Sequence, residues 1–259
     1  MSTTPSFDPN SIALQVQNIH KSFGPKIVHR GVNFELKRGE ILALLGGSGT
    51  GKSVILRSII GLEKPDQGQI LFDGEDITQL TENQLVPVRT KIGYVFQNGA
   101  LFDSMSVREN VAFPLREHGG LAEDQINEIV DRLIAMVGAE DVSDAFPGSL
   151  STGRKRAVAM ARALAAQPEV VLYDEPTTMV DPIIARRLGD LIQRLKRQLG
   201  FTSIVVTHDM RFAERLADKV LFLDQSKALY FGPLQGFLES KEPHIRQFLA
   251  LDAYVLPLA

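Results

Sequence analysis

Apolar residues fall along this chain in two rhythms. Runs such as ILALL at 41–45 and VVLY at 170–173 are apolar at every position, which marks strands buried on both faces. TSIVV at 202–206 is a further short strand run, apolar from Ile204 on. SIALQVQNIHKSFG (11–24) instead alternates, then turns at Gly24-Pro25. VNFELKRGEILALLG (32–46) reads as two short strands joined at Arg38-Gly39, and GQILFDGEDI (68–77) as a further hairpin strand. KVLFLDQSKALYFG (219–232) closes the series as a strand pair.

The second rhythm is helical. SVILRSIIG (53–61) has helical length and stops at Gly61. Thr81-Glu82-Asn83-Gln84 and Ser106-Val107-Arg108-Glu109 both have capping-box spacing and predict helix starts. In QINEIVDRLIAMVG (125–138), Ile126, Ile129, Val130, Leu133 and Val137 share one face, ended by Gly138. DPIIARRLGDLIQRLKRQLG (181–200) is a long amphipathic helix. Helix dominates from about 104 to 165. Buried strands alternating with helices predict a largely parallel sheet interrupted by a helical insertion.

Composition narrows the function classes. The chain has 259 residues, 44% apolar and 23% charged, with a net charge of −3. This is ordinary for a globular α/β domain. The near-neutral charge gives no electrostatic footprint for nucleic acid, so none is expected as a partner. The absence of cysteine removes disulfides, thiolate metal sites and cysteine nucleophiles. The polar start MSTTPSFDPNS does not read as a secretory leader. No apolar run approaches the ~20 residues of a membrane span.

The chemistry concentrates at two places. Gly46-Gly47-Ser48-Gly49-Thr50-Gly51-Lys52-Ser53 matches G-x-x-x-x-G-K-[ST] in full and lies between a strand and a helix. Glycines let backbone N–H groups approach phosphate oxygens, and the following helix offers its unpaired amides to the same anion. Lys52 reaches β- and γ-phosphates, and the Ser53 hydroxyl can ligate Mg²⁺. Val170–Glu175 is an apolar strand ending in two carboxylates. Asp174 is placed to hold Mg²⁺ through water. Glu175 can polarise an attacking water as general base. Together they predict a nucleoside triphosphatase.

Leu150-Ser151-Thr152-Gly153-Arg154, followed by a helix and the acidic strand, resembles the ATP-binding subunit of ABC transporters. The resemblance covers residues 12–235 and keeps its elements in order: Phe23, the glycine loop, Gln97, the LSGGQ-like stretch, the acidic strand, Asp181 and His208. It implies a P-loop NTPase (RecA-like) core with an N-terminal antiparallel β subdomain, a helical subdomain over about 98–165, and a tail at 236–259. It implies ATP and Mg²⁺ as cofactors. Phe23 is then the aromatic stacked on adenine, unless it is an ordinary core aromatic. Gln97 senses Mg²⁺ and the attacking water, and His208 contacts the γ-phosphate. Asp181 crosses between two subunits. Two copies pack head to tail, so that Ser151 and the Gly153 amide cap the nucleotide of the partner copy. Thr152 and Arg154 depart from LSGGQ. Thr152 either crowds the phosphate or donates a hydrogen bond to it.

VFQNGALFDSMSVRENVAFPLREH (95–118) is similar to the matching segment of Mla/Mce-type phospholipid transport ATPases, and HIRQFL (244–249) to their C-terminal end. This implies a transmembrane permease docked near 97–118 and a peripheral location on the cytoplasmic face of the inner membrane. It also implies a small STAS-domain protein and an Mce-type lipid-binding protein as partners. Leu249, Leu251, Tyr254, Val255, Leu256 and Leu258 could cover a partner, the second ATPase or the chain's own core. The competing readings are the ATPase of an importer of small polar solutes, a non-transport ABC ATPase, and a module that closes on ATP without hydrolysing it.

Overall fold

A computed structural model describes residues 11–253. Tyr254, Val255, Leu256 and Leu258 lie outside the described residues. In chain order the elements are β1 Ile12–Phe23, β2 Lys26–Lys37, β3 Ile41–Leu45, α1 Lys52–Ile59, β4 Gln67–Phe72, β5 Glu75–Asp76, α2 Glu82–Thr90, β6 Ile92–Val95, α3 Val107–His118, α4 Glu123–Val137, α5 Thr152–Leu164, β7 Val170–Asp174, α6 Pro182–Leu199, β8 Thr202–Val206, α7 Met210–Leu216, β9 Lys219–Asp224, β10 Lys227–Pro233, α8 Leu234–Leu238 and α9 Pro243–Ala253. The described residues divide into two compact units, one running to Val88 and resuming at Thr202, the other Arg89–Phe201.

The first unit holds an antiparallel sheet in the order β2-β1-β4-β5. Alternation in β1 buries Leu14 and Val16, and a register shift after Val16, where Asn18 takes a positive φ, turns Ile19 inward as well. β3 lies parallel to both β8 and β9, and β10 runs antiparallel on β9. β3 and β8 are buried at every position, which is why their sequences lack alternation. The two strands joined at Arg38-Gly39 therefore serve different sheets: β2 pairs with β1, and β3 with β8 and β9. The tail folds back within the described residues. Ile245, Phe248 and Leu249 pack with Phe222 and Phe237 against Ala43 and Leu45, and the Phe222 and Phe248 rings lie 5.1 Å apart. Leu251 is exposed.

The second unit pairs β6 with β7 in parallel and carries α3, α4, α5 and α6. The box at Ser106 forms as expected: its hydroxyl accepts from the Glu109 amide, and the Glu109 carboxylate accepts from the Ser106 amide. Glu109 is held below the usual carboxylate range by these bonds. α4 buries Ile126, Val130, Leu133 and Val137, adds Ile134, and ends at Gly138 in the left-handed region. The box at Thr81 forms only in half. The Gln84 Oε1 accepts from both the Thr81 amide and the Thr81 hydroxyl, so the hydroxyl is spent on the side chain.

Candidate functional site

The glycine loop leaves β3 and enters α1. Lys52 is 5% exposed, and its Nζ donates to the Gly46 and Gly47 carbonyls at 2.9 and 2.8 Å. The ammonium is thereby fixed across the turn it must serve. Two glycines are demanded by space. A Cβ on Gly46 (φ +149°) would sit 2.3 Å from the Leu223 carbonyl oxygen. One on Gly51 (φ +95°) would sit 2.5 Å from both His29 Nε2 and Val28 Cγ1. Gly47 has nothing closer than 3.8 Å. Ser48, Gly49 and Thr50 form the turn itself, where the Thr50 hydroxyl donates to the Gly47 carbonyl at 3.0 Å.

His29 is a residue that motif reading missed. It is 1% exposed. Its Nε2 lies 3.1 Å from the Gly51 carbonyl; a carbonyl only accepts, so Nε2 carries the proton. Nδ1 is buried with no hydrogen-bond partner. Burial outweighs that bond and pushes the imidazole down to about 4, so the ring is neutral at ordinary pH. The sequence carries no signal for it, because the alternation of Val28, Val32, Phe34 and Leu36 gives position 29 outward parity.

His208 leaves the same end of the parallel strands as the glycine loop. Leu44 pairs with Val206, and the Thr207 amide donates to the Leu44 carbonyl at 3.2 Å. His208 follows, exposed. The carboxyl ends of parallel strands are where such folds place ligands. Phe23, at the end of β1, is 44% exposed, with Lys21 Nζ 4.9 Å from its ring centroid. That exposure removes the core-aromatic alternative.

In the second unit the register Val95–Tyr173 brings Gln97 and the pair Asp174–Glu175 out at one end of β6 and β7. Gln97 is exposed, whereas Asp174 is buried. The Tyr94 hydroxyl donates to Asp174 Oδ2 at 3.0 Å, a support absent from the sequence reading. Glu175 is held in the left-handed region (φ 47°), a strained conformation for a non-glycine residue. The turn it opens is closed by Thr178, whose amide donates to the Glu175 carbonyl and whose hydroxyl donates to Glu175 Oε2 at 2.7 Å.

Ser151 caps α5, its hydroxyl accepting from the Arg154 amide at 3.4 Å. A Cβ on Gly153 would meet Ile184 Cγ2 at 2.7 Å, so this glycine also serves packing against α6. Thr152 is exposed. Arg154 grips Asp141 with two bonds of 2.9 and 2.8 Å. Asp181 caps α6 by accepting from the Ile183 amide at 2.8 Å. Met179 and Ile183 beside it are 95% and 65% exposed.

The stretch expected to meet a permease is anchored by Asn110, fully buried. Its amide group donates to the carbonyls of Phe102, Met105 and Ser106 and accepts from the Phe102 amide. Arg162 donates to the Gly99 and Ala100 carbonyls at 2.9 and 2.7 Å, and its guanidinium lies 5.6 Å from the Phe102 ring.

Hydroxyl and carboxylate oxygens, as on Ser53 and Asp174, are what magnesium accepts. Among the described residues no group of three or more His, Cys, Asp or Glu side chains could hold a metal unaided. No helix among the described residues is long and apolar enough to cross a membrane.

Comparison with known proteins places the chain. Residues 29–178 match the family model described as ABC transporter. The "Probable ribonucleotide transport ATP-binding protein mkl" of Mycobacterium leprae is 40% identical over 93% of this chain and 70% of its own length. The "Intermembrane phospholipid transport system ATP-binding protein MlaF" of Haemophilus influenzae is 39% identical over 93% of this chain and 91% of its own. A solved structure, the dimeric post-hydrolysis state of the ATP-binding cassette MJ0796 bound to ADP and Pi, is 30% identical, with a TM-score of 0.77 over 85% of this chain and 98% of that one. With the glycine loop, the acidic strand end and the capped 150–154 turn already in place, these likenesses make the chain an ATP-binding, ATP-hydrolysing member of the ABC transporter family.

Proposed function

We propose that this ATPase powers phospholipid trafficking between membranes through a separate permease. The observation that carries the lipid reading is the likeness to MlaF, which runs over 91% of that protein's length. The mkl relative, 40% identical, supports a second reading, ribonucleotide transport, over a smaller share of its length.

In this reading residues 12–235 form the ATPase domain, with a helical subdomain over about 98–165 and a tail from 236. The amides of 46–53 and Lys52 hold the β- and γ-phosphates. Phe23 stacks on adenine. Ser53 and Asp174 supply oxygen ligands to Mg²⁺, with Gln97 sensing it. The metal would neutralise charge on the transferred phosphoryl group. Glu175 accepts a proton from the attacking water, and its strained, Thr178-tethered placement supports that role. His208 contacts the γ-phosphate. Ser151, Gly153 and Asp181 face a second copy packed head to tail, and the exposed Met179 and Ile183 support such a seam. The permease docks near 97–118. A STAS-domain protein and an Mce-type lipid-binding protein complete the assembly, and the ATPase itself sits peripherally on the cytoplasmic face of the inner membrane.

Two measurements test this. Glu175→Gln should retain ATP binding, form a dimer with ATP on size exclusion, and hydrolyse at least ~100-fold more slowly. With the co-purified permease in vesicles, ATP should drive a labelled phospholipid between donor and acceptor membranes. Ribonucleotide uptake without lipid movement would favour the second reading.

A further inference from the structure

One buried cation remains without a use. Arg156 lies one turn inside α5, the helix that starts at Ser151, and is 4% exposed. It makes no ion pair among the described residues. Its two terminal nitrogens reach in different directions: Nη1 donates to the Phe96 carbonyl at 3.3 Å, and Nη2 to the Thr178 carbonyl at 3.4 Å. Nε is buried with no hydrogen-bond partner. Burial holds its pKa below the ordinary arginine value.

These contacts are poor as stabilisation. Burying a guanidinium without a carboxylate is costly, and two long bonds to neutral carbonyls recover little of that. Their placement is informative. Phe96 immediately precedes Gln97. Thr178 closes the turn opened by Glu175 and donates its hydroxyl to the Glu175 carboxylate. One side chain therefore spans the segment of the glutamine, the segment of the carboxylate and the helix led by Ser151.

We propose that Arg156 is a positioning residue that ties the Gln97 segment to the Glu175 turn, so that Glu175 is aligned for hydrolysis only when the Phe96 and Thr178 carbonyls are both held. The proposal rests on Glu175 and Gln97 having the roles given above. A planar fork with separate nitrogens can hold two carbonyls at once. A lysine, with a single nitrogen, cannot reproduce that span.

The test is steady-state ATP hydrolysis by the purified full chain, with binding of a fluorescent ATP analogue measured on each variant. Arg156→Met should lower kcat by about tenfold or more while KM for ATP stays within about twofold. Arg156→Lys should fall between the two. Thr178→Val should also lower kcat, and the double variant should lose no more than the worse single one, since both act through one turn. Losses that multiply in the double variant, or a kcat within about twofold of wild type in both Arg156 variants, would overturn the proposal. If Arg156→Met does not fold, the Lys variant paired with Thr178→Val decides. Glu175→Gln in the same series separates the two levels. A full rate there sinks the catalytic assignment, while an inactive Glu175→Gln beside fully active Arg156 variants sinks the link alone.

Discussion

Residues 46–53 and residues 150–183 carry comparably specific motifs, but they are held differently. At the glycine loop the backbone comes too close to its surroundings for a Cβ at two positions, and side chains also grip its carbonyls. Gly46 lies against the Leu223 carbonyl and Gly51 against His29, and Lys52 is pinned to two carbonyls. The later stretch is held by side-chain hydrogen bonds: Ser151 and Asp181 accept backbone amides at helix starts, Arg156 donates to the Phe96 and Thr178 carbonyls, and the Thr178 hydroxyl donates to the Glu175 carboxylate. It leaves Met179 and Ile183 exposed. A rigid cradle suits a phosphate group whose shape never varies. A side-chain-braced, exposed stretch suits a surface that must meet and release another.

The largest effect is expected at Gly46. Gly46→Ala forces a Cβ onto backbone, so it should lose ATP binding outright or unfold. Gly47→Ala, with nothing inside 3.8 Å, should bind ATP within a few-fold of wild type. Equal behaviour of the two in nucleotide titration would remove close approach as the cause.

His29 sharpens the same side. Its folded pKa of about 4 lies below the ordinary 6.5, so the unfolded chain binds the extra proton first. Its contribution is full above pH 6.5 and is lost as pH falls toward 4, up to about 3 kcal/mol. Urea unfolding across that window should show this slope, and His29→Gln, which keeps a donor but does not titrate, should flatten it.

Asn110 braces the second unit by the side-chain strategy. Asn110→Ala leaves the Phe102 amide and three carbonyls without that partner, so it should cost roughly 2–3 kcal/mol in urea unfolding. The smallest effect belongs to Arg154. Its bond to Asp141 is exposed on both sides, so Arg154→Gln should change stability by less than about 1 kcal/mol. A larger loss would mean the signature turn depends on that ion pair.

Much of this could be read before any coordinates. Short apolar runs gave β3, β7 and β8, and capping chemistry gave the start of α3, because these depend on neighbours in the chain. The Thr81 box half-failed because one glutamine oxygen can take both threonine donors. His29, Tyr94, Asn110 and Arg156 were not legible. Arg156 left one faint sign, a charge on the buried stripe it shares with Met160 and Leu164.

Which residues can bind phosphate, carry a proton and start helices is written along the chain, since those capacities belong to residue types at fixed short spacings. Tertiary structure decided which glycines are irreplaceable, why a buried histidine stays neutral and what one arginine spans. Each of those depends on atoms brought close from far along the chain, and distances across a fold are not written in local spacing.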